Sequence, residues 1–125
     1  MLDSVIITHG RIVKEALAAS ERLAEQGHRT GILLLEQLKP YGEIAKQLLP
    51  YLPQKACKVV FLEEEIKAGG MGMMLSEALS RYERMQNKTV CILALDDDFC
   101  VQEANEPIYK SAGVDRESII RTVLA

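Results

Sequence analysis

Two short segments of this chain place residues capable of chemistry at the end of an apolar run. In the first, Val5-Ile6-Ile7 leads into Thr8-His9-Gly10, and Arg11 opens the helical stretch that follows. In the second, Val59-Val60-Phe61-Leu62 leads into Glu63-Glu64-Glu65, and the turn Gly69-Gly70-Met71-Gly72 precedes another helical stretch. A histidine beside a helix N-terminus could accept a phosphoryl group whose oxygens are held by backbone N–H groups. Adjacent carboxylates could divide acid and base work between them. The plainer readings are a turn histidine bonded locally and a solvated strand end for the three glutamates.

Composition removes several other classes. The formal net charge is −3 and no Lys/Arg cluster is present, so the footprint of a nucleic-acid binder is absent, and aromatics at 5% supply no stacking platform. No apolar stretch approaches the ~20 residues that span a bilayer, and Met1-Leu2-Asp3 runs straight into the first strand without a basic leader. A cytoplasmic protein with neither nucleic-acid nor membrane partner is expected. Cys57, Cys91 and Cys100 form no CxxC pair, and His9 and His28 are not spaced with them as zinc ligands, which reads as reduced thiols.

The elements that must position the two segments alternate strand and helix over a single domain, residues 1–125. Strands are expected at about Ser4–Thr8, Thr30–Leu35, Lys58–Leu62 and Thr89–Leu95, all continuous apolar runs of the kind covered on both faces. A first helix from about Arg11 to Gln26 carries the stripe Ile12, Val13, Ala16, Leu17, Leu23 and Ala24, and Gly27 ends it. Ile44, Leu48, Leu49 and Leu52 mark a shorter helix confined by Pro50 and Pro53. Met74, Leu75, Ala78, Leu79, Tyr82 and Met85 mark a third, with the methionines as core fillers. Asn105-Glu106-Pro107 starts a short helix that Gly113 closes, and Asp115 caps a last one bearing Ile119, Ile120, Val123 and Leu124.

Right-handed crossovers between parallel strands leave few topologies, and the order 2-1-3-4 is expected. That order makes a three-layer αβα fold around a mainly parallel four-stranded sheet. It sets the ends of strands one and three side by side at the switch point, so that Thr8, His9, Gly10 and Arg11 face Glu63, Glu64, Gly69 and Gly70 across one crevice. The helix N-terminus there favours an anion and the glutamates oppose one.

In this order the residues resemble a known family, the C-terminal domain of transketolase-type thiamine-diphosphate enzymes, and within it most closely that of the 1-deoxy-D-xylulose-5-phosphate synthases. Val5-Ile6-Ile7 before a small-residue turn is similar to the family's opening, as is the helix type of Val13-Lys14-Glu15-Ala16-Leu17-Ala18-Ala19. Lys39-Pro40 follows the second strand as in the family, although Tyr41 and Gly42 replace its leucine and aspartate. The spacing from Glu63-Glu64 to Gly69-Gly70-Met71-Gly72 is the most specific match. Asp96-Asp97-Asp98-Phe99, Ile108-Tyr109 and Gly113-Val114-Asp115 keep similar spacing beyond the fourth strand, with Asp96 in place of a proline and Gln102-Glu103 in place of His-Gly.

The resemblance spans Asp3 to Val123 and implies a scaffold. A domain of this kind stabilises a homo-oligomer and packs on the preceding pyrimidine-binding domain of the same enzyme. Family domains have an additional antiparallel edge strand for which this chain is not expected to have residues. The Gly-Asp-Gly…Asn motif for magnesium diphosphate is missing, so the chain alone is expected to hold no thiamine diphosphate, no Mg and no catalytic residue; those belong to the parent enzyme, which would condense pyruvate with glyceraldehyde 3-phosphate. An alternative from another class starts from Thr8-His9-Gly10, which is also similar to the opening of the mannose-type phosphotransferase IIA domain, with His9 as phospho-acceptor. A free-standing module that binds a small ligand in the crevice is a third reading.

Overall fold

The computed structural model describes residues 1–95 and 106–125. The motif Asp96-Asp97-Asp98-Phe99, Cys100, Gln102-Glu103 and Asn105 therefore lie outside the described residues. Four parallel strands, β1 (Ser4–Thr8), β2 (Thr30–Leu34), β3 (Cys57–Ile66) and β4 (Lys88–Leu95), form one sheet in the order β2-β1-β3-β4. The helices are α1 (Val13–Glu25), α2 (Tyr41–Leu48), α3 (Met71–Leu79), α4 (Glu106–Ala112) and α5 (Arg116–Leu124). The expected order and three-layer architecture are observed.

Alternation along β1 divides the core into two. Ile6 joins Val60 and Leu62 against Ile12, Ala16, Ala19 and Leu23 of the α1 segment and against Tyr109 and Ile119 of α4 and α5. Val5 and Ile7 join Val59 and Phe61 against Ile44, Ala45 and Leu48 of α2 and Met71, Leu75 and Leu79 of α3. A strand whose side chains are apolar on both pleats is stable only with both faces covered in this way.

Several boundaries differ from expectation, each for a physical reason. β3 does not stop at Leu62 but continues to Ile66 through an irregularity in its register with β4, and Glu63 and Glu64 within it find donors on neighbouring elements. α1 begins at Val13, and Leu17 and Ala24 of its expected stripe are exposed, whereas Glu15 is buried. α3 begins at Met71 and ends at Leu79, so Tyr82 lies past it and Met85 is buried from a separate 3-10 turn. Met71 and Met85 are the methionines that fill the core, while Met74 faces outward. Pro50 sits in a 3-10 turn that follows α2 directly. Gly27 and Gly113 close α1 and α4 with positive φ, and Asp115 caps α5 by accepting from Ser118 N–H at 3.2 Å. Among the described residues no helix is long and apolar enough to cross a membrane.

Candidate functional site

Parallel pairing of β1 with β3 sets Thr8 beside Leu62, and the residues after each strand converge at one end of the sheet. His9, Gly10, Arg11, Glu64 and Glu65 line a small hollow there of about 220 Å³. Thr8, Glu63, Gly69 and Gly70, expected at the same crevice, are not among its lining.

Glu63 is fully buried and points away from the hollow toward α3. Its carboxylate accepts from Met71 N–H at 2.9 Å and Gly72 N–H at 2.6 Å, two of the donors that a helix N-terminus leaves unpaired. Burial raises its carboxyl pKa above the ordinary range, and these two bonds pull back against that shift. The glycine turn serves the same contact. Gly69 has φ +71, a conformation side chains disfavour, and a Cβ on Gly72 would lie 2.7 Å from Glu63 Oε2 and 2.9 Å from Ile92 Cγ2. Gly-Gly-x-Gly here is the geometry that lets backbone N–H groups reach a buried carboxylate.

Glu64 is held on the opposite face of the sheet. It accepts from Arg11 Nε through Oε1 and from the Tyr109 hydroxyl at 2.7 Å through Oε2. Burial first, then the bond to Glu64, push the Tyr109 phenol up to about 12, and the same carboxylate raises the Arg11 guanidinium further above its ordinary value. Glu64 therefore ties β3 to the start of α1 and to α4. Glu65 lies 3.0 Å from His9 Nε2, a distance that suits an ion pair, although the angle does not suit a hydrogen bond and the Nε2 atom is buried. Thr8 is also fully buried, and its hydroxyl has no protein partner among the described residues.

One contact of this kind was not visible in the sequence. Glu15, 3% exposed, accepts from Arg116 through its backbone N–H at 3.0 Å, its Nε at 3.2 Å and its Nη2 at 2.9 Å. The Arg116 bond holds the Glu15 carboxyl below its ordinary pKa. The two residues stand 101 positions apart, so no local pattern pairs them.

Glu63 and Glu64 are thus bonded to the protein's own donors, and Glu65 lies beside His9. Among the described residues no group of three His, Cys, Asp or Glu could hold a metal ion. The hollow presents the half-exposed carboxylate of Glu65 to any incoming phosphate, which it opposes.

A parallel sheet of order 2-1-3-4 covered on both faces defines a domain of the αβα class. The family of the transketolase C-terminal domain matches residues 2–119, and the chain belongs to that family. It is similar to the 1-deoxy-D-xylulose-5-phosphate synthase of Clostridium botulinum (strain Eklund 17B / Type B), 34% identical over 119 residues that make up 95% of this chain and 18% of that protein. The synthases of Syntrophotalea carbinolica and Listeria innocua serovar 6a are 32% and 27% identical over 97% and 95% of this chain, again 18% of each relative. The chain spans about a fifth of the length of the curated relatives it matches. Among solved structures, one described as a split gene transketolase, inactive beta4 tetramer, superposes with a TM-score of 0.74 at 24% identity, over 98% of this chain and 37% of that one. At that identity the likeness speaks for the fold.

Proposed function

We propose that this chain acts as the C-terminal scaffold domain of a thiamine-diphosphate-dependent enzyme of the transketolase type, a 1-deoxy-D-xylulose-5-phosphate synthase that joins pyruvate to glyceraldehyde 3-phosphate. In this role it is one domain, carries no catalytic residue, and binds neither cofactor nor magnesium. It packs on the preceding pyrimidine-binding domain within a cytoplasmic homo-oligomer. The observation that carries the reading is the crevice itself: Glu63, Glu64 and Glu65 face the α3 N-terminus, Arg11 with Tyr109, and His9. A catalytic carboxylate needs a free path to substrate, and these have partners of their own.

The phosphotransferase reading finds no support from the family match, and the geometry opposes it. The buried Nε2 of His9 already faces Glu65, and among the described residues that line the hollow the one guanidinium, Arg11, is engaged by Glu64. Thr8, His9, Gly10, Arg11, Glu63, Glu64, Gly69 and Gly70 are proposed as internal struts that fix the end of the sheet presented to neighbouring domains.

A graft tests the role. This chain replaces the matching segment of the Clostridium botulinum synthase, and circular dichroism checks that the chimera is folded. A chimera that keeps its oligomeric state and synthase turnover is expected. A folded chimera that assembles normally but has lost turnover would count against a purely supporting role.

A further inference from the structure

β3 and β4 open side by side at the end of the sheet opposite the switch point. The parallel register pairs Cys57 with Lys88, so the two side chains stand on one pleat, on strands about 5 Å apart. Both residues are half-buried, and the thiol is free. Lys88 Nζ donates to Arg84 O at 3.0 Å and to Asn87 Oδ1 at 2.6 Å. A hollow of about 660 Å³ has Arg84 and Asn87 in its wall, so the two residues that hold the amine also face an open space.

An ammonium carries three N–H donors, and these two acceptors use two of them. Loss of the third proton leaves both bonds in place and frees a lone pair. Both acceptors are neutral oxygens, whereas Lys46 and Lys55 form ion pairs with the carboxylates of Glu43 at 3.8 Å and Asp3 at 3.0 Å. Burial lowers the Lys88 amine below its ordinary value; Cys57 opposes that shift and Arg84 adds to it. Burial raises the Cys57 thiol, and Lys88 and Lys55 pull it back. A thiolate of higher pKa is scarcer and the stronger nucleophile.

We propose that Cys57 and Lys88 together form a two-step acylation site for a small acyl thioester. The Cys57 thiolate attacks the thioester carbonyl, the C–S bond to the carrier breaks, and the carrier leaves as its thiolate. The lone pair of Lys88 then attacks the carbonyl now held on Sγ. The new C–S bond breaks, its electron pair returns to Cys57, and the extra amine proton passes to solvent. The sum is thioester plus amine giving amide plus free thiol, with nothing oxidised or reduced. Acylation removes the positive charge of Lys88 at the start of β4. The site lies away from the switch point and does not depend on the scaffold role.

Acetyl-coenzyme A is incubated with the 125-residue chain, and acetylation at each lysine is followed by mass spectrometry. Lys88 should be acetylated several times faster than Lys46, although the Lys46 side chain is 65% exposed. Cys57→Ser, which is nearly isosteric, should slow Lys88 about tenfold and leave Lys46 unchanged, because the acyl donor held beside the amine is lost. Lys88→Arg should let a hydroxylamine-labile acetyl group accumulate on Cys57. A Lys88 no faster than Lys46 overturns the proposal. So does a Lys88 rate that Cys57→Ser leaves unchanged, or an acyl group that passes to Lys55 instead.

Discussion

Removing the Glu63 carboxylate should destabilise this protein more than removing either neighbouring glutamate, although all three stand together in the sequence. In Glu63→Ala the N–H groups of Met71 and Gly72 lose the acceptors they reach at 2.9 and 2.6 Å. A buried donor left without a partner costs ~1–3 kcal/mol. The penalty that burial places on the ionised carboxylate offsets part of this, and a net loss of about 2–4 kcal/mol is expected. Glu63→Gln keeps the volume and one accepting oxygen, and should cost less, about 1–2 kcal/mol. Glu65→Ala is the control: its side chain is 45% exposed, and a change within about 0.5 kcal/mol is expected. Urea unfolding followed by circular dichroism measures all three. The pH dependence follows from the direction of the shift. A carboxyl whose folded pKa is raised contributes stability that is complete below its unfolded value and is lost as pH rises through the folded value. The cost of Glu63→Gln should therefore shrink as pH is raised above the ordinary 4.5. If Glu63→Ala matched the stability of the Glu65→Ala control, the capping argument would fail.

Three other outcomes follow from the same contacts. Gly72→Ala should lower stability by about 1–3 kcal/mol in a thermal melt, since its Cβ would press on Glu63 and Ile92 within a packed layer, and combined with Glu63→Ala the loss should be less than additive. Glu15 has a lowered carboxyl pKa, so its contribution is present above the ordinary 4.5 and is lost as pH falls through the folded value; Glu15→Gln should flatten the acid limb of the stability profile. Spectrophotometric titration should show one tyrosine ionising near 12 that disappears in Tyr109→Phe, with a stability loss of about 1 kcal/mol for the bond to Glu64.

The strand order was legible because four apolar runs with helical stretches between them admit few right-handed arrangements, and because Gly27 and Gly113 stand where the left-handed turns after α1 and α4 require them. That order also brings His9-Gly10 beside Glu64, whereas Glu63 and the glycine turn meet on the other side, at the start of α3. What the glutamates do did not follow. An apolar-run reading ends β3 at Leu62 since three charges come next, yet a charge extends a strand when a helix N-terminus or an arginine waits beside it, and those partners lie in other elements. The Glu15–Arg116 clamp was hidden for the same reason: tertiary packing makes it, and Glu15 by its spacing alone reads as a solvated helix residue. Leu17 shows the opposite error, an apolar residue on the expected stripe that the helix leaves in solvent.

The central claim, that this domain supports an enzyme without holding its cofactor, is tested most directly by titrating thiamine diphosphate with magnesium into the 125-residue chain in a calorimeter. The account predicts no saturable heat, since the carboxylates at the switch point are engaged with the protein's own donors. Saturable binding in the micromolar range, abolished by substitutions at Glu63 or Glu64 that leave the fold intact, would contradict it.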